Sequence, residues 1–173
     1  KDQIQPSSID LRLGSKAWRM RASFLPGIKR KVSSCISEFA MQEIDLSHGY
    51  ILEKGSVYLV KLQETLNLPE NIEGIANAKS STGRLDLFTR LISDYCDEFD
   101  RVIKGYSGPL YAEIAPNSFS VLAQQNIKLN QIRFKLHKTL DTKDILVDNI
   151  ISDPKIFSIN LKNKNNLFIG YRA

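Results

Sequence analysis

Apolar residues recurring at every second position, in short runs broken by turn residues, restrict this chain to sheets. Ile9, Leu11 and Leu13 alternate with Asp10 and Arg12 up to Gly14, the spacing of a half-buried strand closed by a glycine. Trp18, Met20, Ala22 and Phe24 alternate with Ala17, Arg19, Arg21 and Ser23, which predicts a second strand stopping at Pro26 and Gly27. The stretch "SVYLVKLQETLNLP" is rich in β-formers and predicts a strand crossing a buried sheet before Pro69. Further strands are expected at Glu73–Lys79, Leu110–Ala115, Phe119–Gln124 and Gln131–Leu136. Short strand, turn, short strand is the rhythm of a sandwich or barrel. Helices look like minor insertions, the clearest carrying Val32, Cys35, Ile36 and Phe39 at helical spacing.

The chain has 173 residues, enough to bury roughly two-thirds of the surface that its unfolded form exposes. No apolar run approaches a membrane span, and no signal-peptide pattern opens the sequence; a cytoplasmic protein is expected. The start at Lys1 rather than Met suggests that natural N-terminal residues precede it. The two cysteines, Cys35 and Cys96, lie far apart without a CxxC neighbour, which favours free thiols in a reducing compartment. With His48 and His137 as the only histidines, the spacing of a conventional zinc site is missing, and no metal ligand is expected. A net charge of +5 favours an anionic partner. No basic stripe interleaved with aromatics is present, so nucleic acid is not expected as that partner.

Asp141 or Thr142 can cap a helix holding Ile145, Leu146 and Ile150 that ends before Pro154. The last stretch, "FSINLKNKNNLFIGYRA", fits two strands about a turn. The division expected is a β domain over 1–139, a helical linker over 140–156, and a strand-like tail over 157–173 that fits the start of a further domain.

Three patches carry chemistry. The stretch "NAKSSTGRLDLFTRL" packs Lys79, Ser80, Ser81, Gly83 and Arg84 into six residues. A serine there is a good N-cap, and Leu85 and Phe88 then share a helical face. The spacing predicts a helix from about Ser81, whose first N–H groups would form an anion site flanked by Lys79 and Arg84. A capped surface helix without a ligand fits the same residues. The second patch is "GYSGPLYAEIAP", where Glu113 is the only charged residue in an apolar run. Tyr111, Glu113 and Ala115 share one face there, while Leu110, Ala112 and Ile114 share the other. A carboxylate among apolar neighbours suits a general base, although the wet face of an edge strand would also hold a glutamate. In the third patch, "QIQPSSIDLRLG", Asp10 reads as the solvated side of its strand.

In combination these patches resemble the dCTP deaminase branch of the dUTPase-like superfamily. "QPSSIDLRLG" resembles its first motif, "KSSTGRLDL" its serine-serine-x-x-arginine motif, "GYSGPLYAEI" the segment ending in the catalytic glutamate, and "LNQIRF" the strand that follows. The likeness is greatest to the N-terminal half of the long, tandem form. It implies a dUTPase-like β-clip, a distorted β-barrel with a few short helices, forming trimers with active sites between subunits. It implies deamination of dCTP to dUTP without zinc, with magnesium (Mg2+) carried on the triphosphate. Glu113 takes the position of the catalytic base, and Ser80 and Arg84 match the residues that place the water and orient the glutamate. Lys79 and Ser81 would contact phosphate, and Tyr106 stands where a tryptophan lies beside the sugar. Gln131 matches a glutamine before the last core strand. Asp100, with Asp97 as second choice, would be the sugar-binding aspartate, and Asp10 matches a structural one. The alternatives are a dUTP diphosphatase or bifunctional enzyme of the same superfamily, or a non-catalytic half that keeps the nucleotide pocket for assembly. The closing C-terminal motif of the family has no counterpart in this sequence, which favours the last, while the intact Ser80–Arg84–Glu113 set opposes it.

Overall fold

The protein is described by a computed structural model over residues 2–137; the expected linker helix and the strand-like tail lie outside the described residues. In chain order the elements are β1 (Ile9–Met20), helix α1 (Val32–Phe39), β2 (Ala40–Asp45), β3 (Tyr50–Leu52), β4 (Val57–Asn67), β5 (Ile72–Ala78), the single turn α2 (Ser80–Arg84), β6 (Leu87–Ser93), β7 (Arg101–Val102), β8 (Ser107–Pro116), β9 (Val121–Ala123) and β10 (Lys128–Leu136).

Seven strands form one antiparallel path, β6-β8-β4-β1-β10-β5-β7, with β2 added beside β1; β3 and β9 pair separately. The path curls until its ends meet. At that seam Asp100 acts as a clasp. Its N–H donates to the Leu91 carbonyl on β6 (2.9 Å), and its own carbonyl accepts from Ala76 on β5 (2.7 Å). Its carboxylate Oδ1 accepts from the Leu91 N–H (2.7 Å). One residue thus ties β6, at one edge of the sheet, to β5, beside the other edge, and it does so with φ +62°, a region that aspartate tolerates better than most residues.

Both faces of the central strands are covered, so their apolar residues run continuously instead of alternating. Tyr58, Leu59 and Val60 on β4 are all fully buried. Tyr58 and Val60 face the barrel interior with Leu13, Ala17, Leu110, Ala112 and Ile114. Leu59 faces a second, outer core with Met20, Val32, Ile92 and Tyr111. The first residue of α1 is seated on the barrel by Asp94, whose Oδ1 accepts the Val32 N–H (2.8 Å).

Three sequence expectations change here. Gly14 does not end a strand; β1 runs through it as one element, and the strand expected to reach Phe24 stops at Met20. A Cβ on Gly14 would lie 2.5 Å from the Lys61 carbonyl oxygen, so the glycine permits close approach of β4. The helix expected from Ser81 through Phe88 is only one turn, capped at Lys79 without a side-chain hydrogen bond. An anion site on a helix N-terminus therefore has no helix behind it. Among the described residues, no helix is long and apolar enough to cross a membrane.

Candidate active site

β8 presents Glu113 on its outer face. Its register places Glu113 between Leu59 of β4 and Arg90 of β6. Only 2% of Glu113 is exposed, a setting that a carboxylate tolerates when a charge partner meets it. Arg90 is that partner. Its Nε (3.1 Å) and Nη2 both donate to a single oxygen, Oε1. The guanidinium also packs over the rings of Phe99 (3.5 Å to the centroid) and Phe88 (4.7 Å), and Nη2 donates to Ser23 Oγ (2.8 Å).

An open cleft of about 360 Å³ runs along the seam beside this pair, lined by Asn77, Gly83, Phe88, Arg90, Asp100 and Asn117 among others. Asp100 therefore stands at the cleft, though its Oδ1 is occupied by the Leu91 N–H. Burial pushes its carboxyl above the usual 3.8, against the pull of the Leu91 N–H and Arg90. Asp97, the second choice, is exposed.

The other residues expected in the site fall in three places. Ser80, Ser81 and Arg84 are exposed on α2, which hangs from β10 through the Thr82 hydroxyl donating to the Leu129 carbonyl (2.9 Å). Within one chain they do not reach Glu113; among the described residues, Arg90 alone hydrogen-bonds it. Lys79 turns its ammonium to Asp10. Asp10 is not on a wet face, as its alternation suggested, but is 1% exposed, with Oδ1 sealed from solvent and unpartnered. Beside it, Gln131 is its direct register partner on β10 and accepts from Ser8 Oγ (3.0 Å). Asp10, Gln131 and Asn77 thus form one polar row across β1, β10 and β5. Tyr106 is a core residue: its hydroxyl donates to the Pro109 carbonyl (2.5 Å) and accepts from the Asp94 N–H (3.1 Å). Burial pushes that phenol far above its ordinary range.

Arg90, Phe99 and Ser23 were not expected in the site. The helical spacing of Leu85 and Phe88 masks β6; the alternation within "LFTRLIS", with its β-formers, was the available signal.

The described residues form a near-closed antiparallel barrel, with a buried carboxylate on an outer face and a polar cleft at its seam, the mainly β architecture expected of a dUTPase-like β-clip. Comparison with known proteins narrows the class. Residues 1–138 match the 2'-deoxycytidine 5'-triphosphate deaminase (DCD) N-terminal domain, and the chain belongs to that family. The crystal structure of 2'-deoxycytidine 5'-triphosphate deaminase from Agrobacterium tumefaciens is 49% identical, with a TM-score of 0.77 over 84% of this chain and 43% of that one. A dCTP deaminase of Haloarcula marismortui is 26% identical over 139 residues, 79% of this chain and 68% of the relative. A dUMP-forming dCTP deaminase of Methanothermobacter thermautotrophicus is 32% identical over 114 residues, 65% of this chain and 54% of the relative. The chain thus spans less than half of the solved deaminase that it resembles.

Proposed function

We propose that this domain acts in the cytoplasm in the hydrolytic deamination of dCTP to dUTP and ammonia, without zinc. The observation that carries the reading is Glu113: a carboxylate 2% exposed, held at Oε1 by Arg90, with no hydrogen bond to Oε2 from the described residues. C4 of cytosine is a poor electrophile until N3 gains a proton, and water is a poor nucleophile until it loses one. A single carboxylate serves both needs. Glu113 takes one proton from water as oxygen bonds to C4, and passes it to N3. It then takes the remaining hydroxyl proton and delivers it to the amino group as the C4–N bond breaks. Ammonia leaves, and the ring keeps its new N3 proton and C4 carbonyl.

Ser80 and Arg84 complete this site in the proposal by coming from a neighbouring copy in a trimer, where they place the water and steady developing charge. Lys79 and Ser81 serve the phosphates, and Asp100 and Gln131 border the sugar and base. No three His, Cys, Asp or Glu side chains among the described residues cluster as metal ligands; magnesium enters this scheme as part of the nucleotide.

Ammonia release from dCTP by the full chain, against Glu113→Gln, tests the reading. The substitution is expected to lower kcat about 10²–10⁴-fold while dCTP binding persists. Binding without turnover in the parent would assign a non-catalytic nucleotide-binding role instead. The dUMP-forming relatives favour a second reading, in which the triphosphate is also cleaved. Diphosphate released alongside ammonia would establish it.

A further inference from the structure

The way Arg90 grips Glu113 is lopsided. Two donors of the guanidinium, Nε and Nη2, converge on Oε1, and none reaches Oε2. The guanidinium is itself fixed from other sides: Phe99 and Phe88 lie under it, and Ser23 Oγ takes a further hydrogen bond. Glu113 keeps 3% of its side chain exposed, and Oε2 is not among the polar atoms sealed without a partner. One oxygen is committed and the other is open.

We infer that Arg90 is a positioning residue: it locks Oε1 so that Oε2 alone is presented to the reacting water. This rests on the deaminase reading above. A carboxylate free to rotate would share its proton-transfer duty between two oxygens and spend part of its time misaligned. Holding one oxygen removes that freedom before substrate arrives, and small misplacements of a reacting group are costly. The charge of Arg90 also offsets the burial of the carboxylate. Lysine could supply the charge but not two convergent N–H groups.

The test is steady-state ammonia release from dCTP by the full chain, with Arg90→Ala and Arg90→Lys. Arg90→Ala is expected to lower kcat about 100-fold and to leave KM within about threefold, with a cooperative melt retained. Arg90→Lys should fall between it and the parent. Millimolar guanidinium chloride should restore turnover to Arg90→Ala by entering the slot over Phe99, an effect that lost packing alone would not produce. An Arg90→Ala variant as fast as the parent, or one that guanidinium leaves unrepaired, overturns this role and leaves the deaminase reading standing. A parent that releases no ammonia overturns both.

Discussion

Asp100 shows how much one side chain can hold. Its carboxylate accepts the Leu91 N–H, its backbone joins β5 to β6, and its φ is positive. Burial raises its pKa in the folded state. The folded protein therefore holds that proton more tightly than the unfolded chain, and stability declines as pH rises from the unfolded pKa through the folded one. Asparagine keeps an acceptor at Oδ1, tolerates left-handed backbone and carries no charge. Asp100→Asn should melt at or above the parent's temperature at neutral pH, with a flatter profile as pH rises above the ordinary carboxylate range. Asp100→Ala should lose about 2–4 kcal/mol, from an orphaned N–H and an unfavourable φ. Thermal melts across pH read both, and an Asp100→Asn as damaged as Asp100→Ala would contradict the account. The apolar setting of Glu113 was legible in the sequence because nothing else charged interrupts its run, but that pattern left open whether the side chain is buried, which the structure shows it to be. The burial of Asp10 was not legible, because the lysine that lets it be buried comes from the end of a strand far along the chain.

Among the elements, β1 and β6 separate what periodicity can tell from what it cannot. The alternation in β1 was correct in kind but divided in two, because register shifts between Leu11 and Arg12 and between Leu13 and Ala17 interrupt it. Gly14 lies within the second of those shifts and works by contact with β4, which no local pattern encodes. Gly14→Ala should cost about 1–3 kcal/mol, since its new carbon meets backbone and not a side chain that could move aside. Denaturant unfolding with an unchanged midpoint would refute that. In β6 the error was larger. Leu85 and Phe88 fit one helical face, yet Asp86 takes φ +50° and turns the chain into an edge strand. The strand is stable because β8 offers a full ladder from Leu87 to Ser93, a tertiary fact. With β6 unread, Arg90 could not be placed opposite Glu113, although Glu113 itself was. The faces of β8 were read correctly: Leu110, Ala112 and Ile114 line the interior, and Tyr111 lies in the outer core.

At the scale of the molecule, the proposed trimer makes a prediction that a single chain cannot satisfy. Each site would take Glu113 from one copy and Ser80 with Arg84 from the next. Glu113→Gln and Arg84→Gln should each be inactive alone. Coexpressed in equal amounts, they should recover about a quarter of the parental rate, since half of the copies supply each side of a site. Light scattering that gives a monomer, or mixtures that stay inactive, would rule out shared sites. Of the described strands, β1 is made first and β10 last, yet the two are neighbours, with Ile9 opposite Ile132. During translation the flank of β1 that β10 will cover therefore stays bare until almost the whole domain has left the ribosome. A nascent chain in that state offers an open strand edge to other polypeptides, and mutations that slow the arrival of β10 should show up first as poor yield, before any loss in the activity of the protein that does fold.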